Sequence, residues 1–188
     1  MKTRLAAVLV SAAFALPAIA ADSYTVDPSH TYPRFEINHL GFSTMHGTFD
    51  ATSGKIMLDA AARSGSIEIT IDATSLDTGH GKRDEHLKSD EFFNVAKFPT
   101  LTYKASKLKF NGDKLSGADG ELTLLGVTKP VSLTVTAFNC GAHPMTKKPV
   151  CGANATAVIK RSDFGLSAYL PAVGDEVKIS IQVEALKN

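Results

Sequence analysis

From residue 22 onward, apolar and polar positions alternate with a period of two. This pattern marks strands with one wet face and one apolar face. The clearest case is the last: Val177, Ile179, Ile181, Val183 and Ala185 against Lys178, Ser180, Gln182 and Glu184. Phe35, Ile37 and His39 alternate in the same way with Arg34, Glu36 and Asn38. So do Ile67, Ile69 and Ile71; Leu101, Tyr103 and Ala105; Val131, Leu133, Val135 and Ala137; and Ala155, Ala157 and Ile159. A short strand at Tyr24 to Asp27 stops at Pro28, and a return strand runs from Leu115 to Leu124. Between Thr44 and Leu58 the apolar parity changes from odd (Met45, Phe49) to even (Ile56, Leu58), which places a bulge or turn at Ser53-Gly54. A second bulge is expected near Ser106. Asn111-Gly112-Asp113 marks a hairpin, and Gly126 to Pro130 reads as a turn. The sum is about eight strands in one domain with mostly hairpin-length connections. Eight antiparallel strands either close into a barrel or form a sandwich, and periodicity does not choose between them.

One stretch breaks the pattern. Residues 72–99 are polar and aperiodic, then carry Phe92-Phe93 and return to strand at Pro99. Thr78 or Asp77 would cap a short helix from Lys82 to Ser89, with Leu87, Phe92 and Phe93 as its buried side. The stretch contains His80, Asp84 and His86, candidates for a metal site or an acid–base pair. Their spacing is not that of a zinc protease helix, and positions 80 and 86 share no helical face. They read as a solvated polar loop. His39 falls on an apolar strand face, as a core or pocket histidine. Asp163-Phe164-Gly165 is a turn, and no serine sits in a nucleophile elbow. No nucleophile, base and orienting group assemble, so the residues favour a binding protein over an enzyme.

The ends and the cysteines add a compartment. Lys2 and Arg4, an apolar run from Leu5 to Leu16, Pro17 and Ala18-Ile19-Ala20 make residues 1–20 a cleavable secretory leader. Cleavage is expected after Ala20 or Ala21, which leaves a domain at residues 22–188. Loss of Lys2 and Arg4 leaves 18 of the 20 basic side chains against 19 acidic ones, a net charge of −1. A nucleic-acid partner is excluded by that balance, and stable membrane insertion by the lack of a later long apolar run. In an exported protein Cys140 and Cys151 are expected to form a disulfide, worth on the order of 3 kcal/mol. A metal site from Cys140, His143 and Cys151 lacks a fourth ligand.

The apolar stripes hold few large aromatics, no tryptophan, and many alanines and glycines. An underfilled barrel with an apolar cavity and an ordinary filled core both fit that stock. Strand parity turns Phe35, Ile37, His39, Phe49, Ile67, Ile69, Leu122, Leu133, Ile179 and Ile181 inward, with Leu87, Phe92 and Phe93 added from the insert.

In its order of motifs the chain resembles the YceI family, the lipocalin-like polyisoprenoid-binding proteins of the bacterial periplasm. The resemblance rests on Tyr24-Thr-Val-Asp-Pro-Ser-His30, Phe35-Glu-Ile-Asn-His-Leu-Gly41 and Gly47-Thr-Phe49. It continues through Ser75-Leu-Asp-Thr78, Arg83-Asp-Glu-His-Leu-Lys-Ser89, Leu122 to Pro130 and Arg161-Ser-Asp-Phe-Gly165. It implies an all-β, eight-stranded antiparallel lipocalin-like barrel with short helices in the 79–96 insert. It implies an apolar tunnel for an isoprenoid chain, either a polyprenyl lipid or a quinone tail, with no metal, no cofactor and no catalytic residues. Head-group recognition would fall to His39, Asn38 or Arg83 at the mouth. A homodimer, and which end of the barrel opens, are left undecided. The competing reading is a structural or stress-protective envelope protein without a small ligand.

Overall fold

The computed structural model describes residues 21–188, so the expected leader lies outside the described residues. The strand segments are β1 (Asp22–Val26), β2 (Tyr32–His39), β3 (Ser43–Phe49), β4 (Thr52–Asp59), β5 (Ser64–Asp72), β6 (Leu76–Asp77), β7 (Thr100–Asn111), β8 (Lys114–Leu124), β9 (Val127–Ala142), β10 (Pro149–Lys160) and β11 (Val173–Lys187). One helix, α1 (Gly81–Lys88), lies between β6 and β7. Three pairs of segments are single strands broken by a kink. β1 meets β2 at the turn Pro28–His30, β3 meets β4 at Asp50-Ala51, and β5 meets β6 at the turn Ala73–Ser75. Counted this way, eight antiparallel strands run up and down in chain order. The last, β11, hydrogen-bonds to both β1 and β2 and closes the barrel.

The kinks lie side by side, and short polar residues hold them. Asp27 accepts from the Ser29 amide at 2.9 Å, and Asp72 accepts from the Thr74 amide at 2.8 Å. These side chains satisfy backbone donors that the interrupted ladder leaves free. Ser75 Oγ accepts from the Ala51 amide at 3.0 Å, and the Asp72 amide donates to the Ala51 carbonyl at 2.9 Å, so the second and third kinks are tied together.

Several local expectations shift. The parity break falls at Asp50-Ala51, not at Ser53-Gly54, whose residues pair with Thr70 and Ile69 inside β4. Gly54 is there for space: a Cβ would overlap the Glu68 carbonyl. The tight turn after β8 is Leu125-Gly126, with φ of 52° and 73°. Pro130, expected in the turn, sits inside β9 opposite Glu121. The cap of α1 is neither Thr78 nor Asp77 but His80, whose Nδ1 accepts from the Arg83 amide at 3.3 Å. The bulge near Ser106 and the hairpin at Gly112 are where the pattern put them. Cys140 and Cys151 face each other across β9 and β10 and are bonded, with S–S 2.06 Å.

The barrel has two unlike ends. The upper end carries the 40–42 turn, the 78–99 insert and the 161–172 connection. The lower end carries the turns at 60–63, 112–113 and 143–148. Tyr24, Leu58 and Ala185, with Phe110 and Phe138 against them, fill the lower end. A larger cluster around Phe49, Leu76, Leu101, Phe164 and Leu166 packs the middle and top of the wall.

Candidate ligand-binding cavity

Between these clusters the barrel is not filled. It holds a cavity of about 650 Å³, with walls drawn from all eight strands. Packed interiors hold few voids larger than a water molecule, whereas ligand pockets run to roughly 300–1,000 Å³. Composition left filled and underfilled interiors equally open, and the structure is underfilled. The reason lies in small residues at inward positions: Ala118 and Ala155 are buried, line the cavity and leave its axis empty.

The structure places every expected lining residue on this wall. Phe35, Ile37 and His39 come from β2, Phe49 from β3, Ile67 and Ile69 from β5, Leu122 from β8, Leu133 from β9, and Ile179 and Ile181 from β11. Leu87, Phe92 and Phe93 reach it from the insert. Phe93 meets Phe49 edge-on at 5.7 Å, and Phe49 lies 6.0 Å from Phe35, so three aromatic rings line the upper wall.

Several polar groups along the wall are already engaged, although the buried Thr52 Oγ1, which also lines the cavity, has no partner. The Tyr103 hydroxyl donates to the Val131 carbonyl at 3.0 Å, and burial pushes its pKa up to about 12. Arg161 is buried, and its guanidinium donates to four carbonyls: Gly174 at 2.7 Å, Leu166 at 2.7 Å, Ala168 at 2.9 Å and Val173 at 3.0 Å. One side chain thus collects the whole 161–174 connection, which has no sheet of its own to satisfy it. Arg83 and Asn38 are similarly occupied, Arg83 with Thr78 and Asn38 with the Gly41 amide.

The polar insert residues do not converge on one centre. His80 caps α1, Asp84 accepts from the Thr78 amide and hydroxyl, and His86 pairs with Glu91 at 2.6 Å. Among the described residues no group of three or more His, Cys, Asp or Glu is placed to hold a metal. His86 and Phe92 instead form part of the rim. The Phe92 ring stacks on Tyr169, and His86 meets Phe92 edge-on at 5.1 Å. Hydrogen bonds from His86 and then Tyr169 hold the Glu91 carboxyl below its ordinary range, and Glu91 raises the Tyr169 phenol.

Leu40, Leu166, Tyr169 and Val173 also line the cavity and are not among the expected lining residues. They sit in a turn, a strand end and an aperiodic connection, where alternation carries no information.

A YceI-like domain model matches residues 24–185, nearly the whole described chain. The chain belongs to the YceI-like family. Protein YceI of Salmonella arizonae is 38% identical over 190 residues, covering 100% of this chain and 98% of that protein. Among solved structures, Burkholderia cenocepacia BcnA superposes with a TM-score of 0.70 at 24% identity, covering 85% of this chain and 98% of that one. A polyisoprenoid binding domain from Saccharophagus degradans gives 0.66 at 19% identity, covering 88% and 98%. Both likenesses establish the YceI-like barrel fold.

Proposed function

We propose that this YceI-like protein is a non-enzymatic periplasmic carrier that holds an isoprenoid chain, a polyprenyl lipid or a quinone tail, along its barrel axis. The observation that carries the reading is the 650 Å³ cavity with an almost wholly apolar wall. An aliphatic chain inside it gains about 0.8 kcal/mol per buried methylene and needs no polar partner. The Saccharophagus domain of the same fold is described as polyisoprenoid binding, which supports that ligand class. Phe35, Ile37, Ile179 and Ile181 on the neighbouring strands β2 and β11, with Ile69 on β5, would grip the chain, and Phe92 and Phe93 would cover its upper part. The cavity also weighs against a structural envelope protein, which calls for a filled core.

The test is organic extraction of protein purified natively from the periplasm, followed by mass spectrometry. A stoichiometric isoprenoid is expected. A blank extract, repeated after expression in a quinone-rich host and after loading attempts from detergent micelles, would refute the carrier reading.

A further inference from the structure

Two uncharged stretches meet at the upper end of the barrel. Residues 37–49 contain no Asp, Glu, Lys or Arg, and neither do residues 164–174, in a chain where 21% of residues are charged. The two are joined: the Leu40 amide donates to the Ala172 carbonyl at 2.9 Å, and His39 pairs with Val173. Their large side chains point outward. Phe42 is 91% exposed, Tyr169 53% and Leu40 49%. Leu40 and Tyr169 also line the cavity, so the exposed patch and the cavity wall are one continuous apolar surface. The tip is held firmly. Leu40 and Gly41 take φ of 56° and 75°, Asn38 Oδ1 accepts from the Gly41 amide at 2.9 Å, and the Phe42 amide donates to the His39 carbonyl at 3.0 Å. Across the mouth, α1 is different, with Lys82, Arg83, Asp84, Glu85 and Lys88 in a single short helix.

We infer that the 40–42 tip, with Tyr169 beside it, docks into the surface of a lipid bilayer and brings the barrel mouth against the acyl chains. This rests on the proposed carrier function, since a chain ligand of that class resides in membranes. A bilayer suits the tip better than a protein partner does. A stable protein interface buries about 800 Å² on each side, more than one turn offers, whereas a single aromatic wedge seats well at the headgroup level. Residues 40–42 carry no fixed charge to desolvate, the Glu91 carboxylate that Tyr169 hydrogen-bonds would have to stay at the hydrated headgroup level, and the near-neutral chain supplies little electrostatic pull. Docking is therefore driven by apolar burial and is insensitive to salt and to anionic lipid content.

The chain has no tryptophan, so Phe42→Trp introduces a sole tryptophan, excited selectively over the four tyrosines. Met145→Trp, at an 85% exposed position on the opposite end, is the control. With phosphatidylcholine vesicles, the Phe42→Trp emission is expected to move to the blue and to be quenched by brominated acyl chains, at low and high salt alike. The Met145→Trp emission is expected to stay unchanged. Phe42→Asp is expected to slow uptake of a polyprenyl alcohol from vesicles roughly tenfold or more, while leaving uptake from detergent micelles unchanged. Three results would overturn the inference: no response at either position, an equal response at both, or a blue shift of Phe42→Trp that follows protein concentration without vesicles, which would mean a second copy of the chain covers the tip. Equal vesicle uptake by Phe42→Asp and the parent protein would also overturn it. Loading from micelles reports on the cavity separately, so loss of docking with loading intact leaves the carrier reading standing.

Discussion

The rings of Phe92 and Tyr169 lie stacked, with centroids 5.9 Å apart and planes 11° from parallel. Phe92 belongs to the insert between β6 and β7, and Tyr169 to the connection between β10 and β11. Their contact spans the barrel mouth, and Glu91 reinforces it from His86. Removing the stack with Tyr169→Ala is expected to speed release of a bound chain roughly three- to tenfold, in line with the worth of one aromatic pair. Stopped-flow transfer to acceptor vesicles measures the rate, and unchanged release would show that the stack does not restrain the ligand.

The same clasp sets a pH dependence. The folded Glu91 carboxyl has a lowered pKa, through His86 first, so its contribution is whole above the ordinary glutamate range and is lost as pH falls through the lowered value. The Tyr169 phenol is raised, through Glu91, so its contribution is lost at the alkaline end, as pH rises through that raised value. Protection of the amides at residues 91–95, taken relative to the intrinsic exchange rate at each pH, is expected to be greatest at intermediate pH and to fall at both extremes. Glu91→Gln should flatten the acid limb, and an unaltered acid limb in that variant would remove Glu91 from the account.

Ala155 offers a cleaner probe of the cavity than a charge does. A phenyl ring at this position would grow into empty volume instead of into packed neighbours, so Ala155→Phe is expected to leave the thermal midpoint within a few degrees. Affinity for a long polyprenyl chain is expected to fall at least about tenfold, as several methylenes lose their place. A titration with fluorescent isoprenoid measures this, and full affinity in the folded variant would move the ligand elsewhere.

Arg161→Lys keeps the charge but not the fork. Four carbonyls now served by one guanidinium would share three ammonium donors in the wrong geometry. A stability loss of about 1–3 kcal/mol is expected in urea unfolding, with the 161–174 connection exchanging first. Equal stability would mean water replaces the fork without cost.

Cys140→Ser with Cys151→Ser removes the cross-link at the lower hairpin, with an expected loss of about 2–3 kcal/mol for a bridge spanning 11 residues. Thiol labelling of the denatured, unreduced parent protein should find no free cysteine. Ligand uptake is expected to persist in the double variant, because the cluster of Tyr24, Leu58 and Ala185 still closes that end.

How much of this was legible from sequence follows from what each residue does. Alternation reports which face a strand residue takes, so Ile67, Ile69, Ile179 and Ile181 were placed on the cavity wall from parity alone. It cannot report where a strand bends when the bend is polar. Asp50-Ala51 carries no glycine, so Ser53-Gly54 drew the expectation instead, although Gly54 is small to clear the neighbouring strand. Composition did not distinguish a filled barrel from an empty one, because the outcome depends on Ala118 and Ala155 facing a common axis. Arg161 showed a charge in an aperiodic loop and gave no sign that four backbone carbonyls would gather on it. Tyr169 and Leu40 were hidden for the same reason: they act through where their loops end up, which no local period encodes.

The kinked strands have one more consequence. β6 contributes only two residue pairs to β3, Thr48 with Asp77 and Phe49 with Leu76. Above them the insert takes over the role of wall, and side-chain contacts such as Phe49 against Phe93 replace ladder hydrogen bonds. Over most of its girth the barrel is stitched by backbone and can widen only by tearing that stitching. Along this seam it is merely leaned shut. Along it, ring can part from ring while the sheet stays whole.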